Sequence, residues 1–342
     1  MNPFDDGLLD DGPTLARHDA VLRGLAEAGS RVRREAVAAE DQLGRAVRQL
    51  SGSRPRAVVA AGPDSRLLRA VLEPWCPVPF LAWPGPGLPG WAGSLDLVVV
   101  LAPHGNDVAT AGAVAEAVRR GCPLVVACPT ASLVGEHATG RYTTVLPTTT
   151  GDQLATAVVV LELLDRLDLA PDTDSERVAA ALDEVAVGCG PYRDIAVNPA
   201  KILASGIADS NPLLWGGTVL AARAARRIAE SIRRATGRAA LAADAEHLLP
   251  VLEAARPADV FADPFADGDE PASPRPALVM LDDGFEDDAV ARTRDQLVDC
   301  ARERGVRVET VTASAEGGVA RYAALLAGGT YAATYLGIGH GG

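Results

Sequence analysis

The sequence predicts an α/β protein: two doubly wound, parallel-sheet domains preceded by an N-terminal helical segment. Three observations carry that expectation. A unit of buried apolar strand, short loop, Arg- and Ala-rich helix ending in a basic residue and Gly, and second apolar strand runs from Leu95 to Pro129. The same unit returns from Ala277 to Ala313. Its strands (LVVVL, ALVML) are continuous apolar runs, the pattern of parallel strands covered on both faces. A length of 342 residues gives two such domains room for separate cores.

Each element has a local reason. From Gly12 to Leu50, Leu15, Leu22, Leu25, Val32, Leu43 and Val47 recur at helical intervals, predicting one or two amphipathic helices. After a linker at Ser51 to Pro55, AVVAAG (Ala57 to Gly62) reads as the first buried strand, with Asp64 and Ser65 placed to cap the next helix. The Pro-, Gly- and Trp-rich stretch Cys76 to Gly93 predicts a short strand and an ordered loop. Beyond the first repeat come a strand at Tyr142 to Leu146 and helices at Gln153 to Leu167 and Ser175 to Val187. A crossover follows from Cys189 to Asn198. The second domain then opens with a helix at Pro199 to Asp209, a strand at Asn211 to Trp215, the turn Gly216-Gly217-Thr218 and a helix at Val219 to Arg234. The acidic, Pro-rich segment Phe261 to Pro276 reads as an exposed loop, Tyr331 to Leu336 as an apolar strand or helix turn, and the Gly-rich end as a mobile tail. The expected boundaries are residues 1–54 for the helical segment, 55–150 for the first domain, 151–198 for the crossover and 199–342 for the second domain.

A net charge of −13 without a basic stripe argues against nucleic acid as a partner. The arginines Arg223, Arg226, Arg227, Arg233 and Arg234 fall at helical spacing and read as a solvated helix face. Neither a secretory signal nor a bilayer-length apolar run is expected, so the predicted location is cytoplasmic, with no membrane partner. Five cysteines without CxxC pairing read as buried thiols. Five scattered histidines offer no zinc spacing, so no metal and no cofactor is expected.

In such folds ligands bind at loops leaving the carboxyl ends of strands. Two turns there, AAGPDSR around Ser65 and WGGTVL around Thr218, join a strand to a helix through Gly and a hydroxyl residue. That composition suits either a helix cap or a phosphate held by backbone N–H groups. The corresponding repeat loops are Ala-Pro-His-Gly-Asn-Asp (Ala102 to Asp107) and Asp-Asp-Gly-Phe-Glu-Asp-Asp (Asp282 to Asp288). Both carry carboxylates that would repel a phosphate dianion.

From about Ala57 onward, with Asn198-Pro199-Ala200-Lys201 just ahead of the second domain, the order of elements resembles the bifunctional phosphoglucose/phosphomannose isomerase family, which has tandem sugar-isomerase (SIS) domains. The resemblance implies that a phosphosugar or related small molecule is the ligand and that the chain forms a homodimer. It implies aldose–ketose isomerisation among glucose 6-phosphate, mannose 6-phosphate and fructose 6-phosphate. Ser65 stands at the family's phosphate-binding serine, and Gly105 is what remains of its Ser-x-Ser-Gly-x-Thr loop. His104, Thr130, Ser132 and Thr218 complete the implied substrate-binding set. Glu230 is the implied proton-transfer base, one helical turn from the family's position, and His247 is the implied group for ring opening. A second reading is a family member without catalysis that binds a carbohydrate derivative or an enzyme partner. A dinucleotide oxidoreductase is the weakest alternative, because no GxGxxG opens either domain.

Overall fold

A computed structural model describes residues 3–52, 54–255, 275–285 and 287–342. Its chain forms two compact units. One comprises Glu27–Asp183 with Glu316–Ala320; the other comprises the residues up to Ala26, Glu184–Ala315 and Arg321–Gly342.

The first-sheet unit contains β1 (Val58–Ala61), β2 (Phe80–Trp83), β3 (Leu97–Leu101), β4 (Leu124–Cys128) and β5 (Thr143–Pro147). All pair in parallel in the order β2-β1-β3-β4-β5. Every residue of β1, β3 and β4 is buried, which is why their sequences do not alternate. Helices α4 (Ser65–Leu72), α5 (Val108–Arg119) and α6 (Leu133–His137) follow strands, and small side chains such as Ala111, Ala113 and Ala117 of α5 pack onto Val98 and Val100. The next helix, α7 (Gln153–Asp165), is apolar almost all round, and the amphipathic α3 (Ala28–Leu50) packs along it.

The second-sheet unit contains β6 (Ser210–Gly216), β7 (Leu241–Ala242), β8 (Arg275–Asp282) and β9 (Arg307–Thr312), parallel in the order β7-β6-β8-β9. Around it lie α1 (Gly12–Arg17), α2 (Asp19–Ala26), α9 (Pro199–Ile207), α10 (Val219–Thr236), α11 (Ala245–Glu253) and α12 (Asp288–Glu303). Helix α8 (Ser175–Cys189) enters this unit at Glu184, and α13 (Gly318–Gly339) enters it at Arg321. Leu213, Trp215, Leu278 and Met280 of the sheet pack with Leu248, Leu252, Leu297 and Ala301 of α11 and α12.

Three expectations need correction. Residues 12–50 form three helices rather than one or two, broken at His18 and Glu27. Tyr331 to Leu336 is neither a strand nor an isolated turn but the middle of α13, where Ala and Leu outweigh the helix cost of Gly. The expected mobile tail is helical through Gly339 for the same reason. Gly329 serves packing there, since a Cβ on it would stand 2.3 Å from the Ile228 side chain of α10. The loop predicted at Phe261 to Pro276 lies outside the described residues, apart from Arg275 and Pro276 at the start of β8. No helix among the described residues is long and apolar enough to cross a membrane.

Candidate functional site

The order β2-β1-β3-β4-β5 reverses direction between β1 and β3, the switch point at which doubly wound sheets leave a crevice. The turn after β1 runs through Gly62 (φ 90°) to Ser65, the first residue of α4. Asp64, in the cap position, makes no cap bond; its Oδ1 accepts instead from Gln153 Nε2 at 2.6 Å, tying this turn to the loop after β5. Ser65 is 1% exposed and its hydroxyl makes no hydrogen bond. Ser65 is thus an orphaned buried hydroxyl at a helix start, beside the switch point of the first sheet.

The remaining loops at this edge are more fully committed. His104 is exposed, with its ring beside Gly151. Gly105 adopts φ 67°, and a Cβ there would fall 2.3 Å from Ser132 Oγ, so the structure brings these two predicted residues together. Ser132 is buried; its hydroxyl donates to the Pro129 carbonyl at 2.6 Å and accepts from the Gly135 amide, capping α6. Thr130 is exposed in the same loop. Asp107 is the N-cap of α5: its Oδ1 accepts from the Thr110 amide (2.7 Å) and hydroxyl (2.5 Å). Its carboxylate therefore serves the helix. After β5, the Thr149 and Thr150 amides both donate to Glu35 of α3, a residue the sequence did not single out because it stands 114 positions away.

In the second sheet the switch point lies between β6 and β8. Thr218 caps α10 by accepting from the Ala221 amide at 3.1 Å, and its hydroxyl donates to Asp283, bridging the two switch-point loops. Asp282 and Asp283 also accept from the Gly284 and Phe285 amides, and Asp287 caps α12; Glu286 lies outside the described residues. Glu230, on α10, accepts from Arg227 at 2.8 Å and pairs with Arg234 at 3.5 Å, leaving its side chain 35% exposed. Nearby, burial pushes the Arg223 guanidinium below its ordinary range and the Tyr322 phenol above its own. His247 is exposed on α11, with Nδ1 3.6 Å from Glu246. No hydrogen bond or ion pair joins Glu230 to His247.

A cavity of about 660 Å³ opens at the opposite edge of the first sheet, lined by Leu50, Arg54, Leu95, Leu97, Pro123 and Arg166. It lies at the amino ends of the strands, away from both crossover loops, so topology rather than size locates the site. Among the described residues no group of three or more His, Cys, Asp or Glu side chains is arranged to hold a metal ion.

Two parallel sheets clad in helices, each with its own switch point, define a protein of two doubly wound α/β domains. Its second half is similar in sequence to a particular branch of that class: residues 196–342 match the model of the bacterial phospho-glucose isomerase C-terminal SIS domain, which supports the resemblance read from the sequence. No curated protein matches the chain in sequence. Among solved structures, tagatose-6-phosphate ketose/aldose isomerase from Escherichia coli is similar over 92% of this chain and 91% of its own, at 12% identity and a TM-score of 0.66. The C-terminal domain of glucosamine-fructose-6-phosphate aminotransferase from Francisella tularensis aligns with 93% of this chain and 95% of its own, at 13% identity and a TM-score of 0.58. A glucose-6-phosphate isomerase like protein from Thermus thermophilus aligns with 90% and 91%, at 16% identity and a TM-score of 0.50. At these identities the likeness shows the fold.

Proposed function

We propose that the protein is a phosphosugar isomerase that takes a hexose 6-phosphate, with the Gly62–Ser65 turn of the first-sheet unit as the candidate seat of the phosphate. The observation that carries this reading is the buried, unpartnered Ser65 hydroxyl at the first switch point. The family match of residues 196–342 supports the reaction class. Aldose–ketose interconversion needs one base on the face of the enediol and one group to open the ring. Glu230 is the candidate for the first role: its carboxylate is oriented by Arg227 and Arg234 and stays partly open to solvent. His247, an exposed imidazole, is the candidate for the second. Gly105, with His104, Thr130 and Ser132 around it, forms the far wall of the first crevice. Thr218 closes the corresponding crevice of the second sheet. The expected assembly is a homodimer.

A coupled assay converting fructose 6-phosphate to glucose 6-phosphate and mannose 6-phosphate tests the proposal. Glu230→Gln should slow the parent's turnover by at least about a hundredfold, and His247→Ala should slow it too. Absence of turnover in the parent, or turnover indifferent to both changes, would rule the assignment out.

A further inference from the structure

The carboxyl edge of the first sheet holds a second anion hollow, and the protein fills it from within. Glu35 projects from α3 with only 1% of its surface exposed. Its Oε1 accepts from the Thr150 amide (2.6 Å), the Thr150 hydroxyl (2.5 Å) and the Thr149 amide (3.0 Å). Its Oε2 accepts from the Thr149 amide at 2.9 Å and lies 3.5 Å from the Thr149 hydroxyl. One turn earlier on α3, Arg31 pairs with Asp152 at 2.7 Å and anchors the far side of the same loop.

Successive backbone amides flanked by hydroxyls form a nest suited to a two-oxygen anionic edge. A carboxylate withdrawn from water pays heavily unless such donors surround it, so the four groups and Glu35 fit one another chemically. Phosphate and sulfate present the same two-oxygen edge. The hollow lies next to the Ser65 turn, because Gln153, three residues beyond Thr150, bonds Asp64.

We propose that Glu35 is a specificity-determining residue: its carboxylate is a resident anion that closes the Thr149–Thr150 hollow to the anionic group of any ligand entering the first switch point. Removing it turns the hollow into a site for a tetrahedral oxyanion. This inference does not rest on the role proposed for Ser65.

The test titrates inorganic phosphate against chloride at matched ionic strength and follows the melting temperature of the parent, Glu35→Ala and Glu35→Gln. Glu35→Ala should melt below the parent in chloride. Phosphate should then raise its melting temperature saturably, by at least about twice the parent's rise, because a ligand that binds the native state stabilises it by mass action. Glu35→Gln keeps the hollow filled and should gain no more than the parent. The rescue of Glu35→Ala should survive an added Ser65→Ala and disappear with an added Thr150→Val. If Glu35→Ala is unfolded in chloride, phosphate should restore its helical circular dichroism. Glu35→Asp, which withdraws the carboxylate by one methylene, should show the same phosphate gain in a folded protein. Equal phosphate responses in parent and variants would make Glu35 a structural tie and overturn the proposal. Rescue lost with Ser65→Ala would likewise overturn it, while leaving the Ser65 reading intact.

Discussion

Ser65 and Gly105 mark opposite extremes of what one residue does at this edge. The Ser65 hydroxyl is buried without a hydrogen bond, so its removal gives up no internal hydrogen bond. Ser65→Ala should therefore leave stability within about 0.5 kcal/mol of the parent or raise it slightly, as read by urea unfolding. Gly105 combines φ 67° with Ser132 Oγ in the space of its missing Cβ. Gly105→Ala should cost about 1–3 kcal/mol in the same measurement and disturb the α6 cap. Side-chain roles were unevenly legible in the sequence at this scale. Asp107 followed three residues later by Thr110 carries the local pattern of a helix cap, the role it has in the fold. Glu35 carried no local signal, because its partners come from another part of the chain.

Among the elements, the N-terminus of α9 is held by a buried lysine. Lys201 is 0% exposed, and its ammonium donates to Asp10 Oδ1 (2.6 Å) and to the carbonyls of Pro191 (2.7 Å) and Arg193 (2.9 Å), 5.3 Å from the Tyr335 ring centroid. Asn198, also fully buried, caps the same helix through the Ala200 and Lys201 amides. The Asn-Pro-Ala-Lys motif thus pins a helix start. Lys201→Met should cost about 3 kcal/mol by calorimetry or urea unfolding, because three acceptors are left without their donor. Burial would raise the Asp10 carboxyl, but the Lys201 ammonium and the Ile195 amide together hold it below its ordinary value. A depressed folded-state value means stability fully present above the unfolded carboxylate range, about pH 4, and lost as pH falls through the folded value. Asp10→Asn should accordingly flatten the decline of stability between about pH 5 and the acid limb. The continuous apolar strands β1, β3, β4, β6 and β8 and the helices α4, α5, α7, α8, α9 and α10 were readable from pattern alone, whereas the short α6 and α11 were not. The α13 helix was not, since its five glycines, Gly318, Gly328, Gly329, Gly337 and Gly339, argue against a helix until packing against Ile228 and Phe4 explains two of them.

At the scale of the whole molecule, the duplicated strand–helix–strand unit correctly implied two parallel sheets, each with its own switch point. The two crevices differ chemically. That of the first sheet keeps a free hydroxyl at Ser65, whereas that of the second is bridged by Thr218 and Asp283. The proposed homodimer predicts a dimer in sedimentation velocity at micromolar concentration; a monomer alone would contradict it. The most direct test of phosphosugar binding at the first switch point is a thermal shift of the parent and Ser65→Ala with glucose 6-phosphate and, separately, with glucose. The account predicts that the phosphate ester raises the parent's melting temperature, that glucose does not, and that Ser65→Ala loses the rise while remaining as stable as the parent. An equal rise in Ser65→Ala, or no rise in the parent with glucose 6-phosphate, would contradict it.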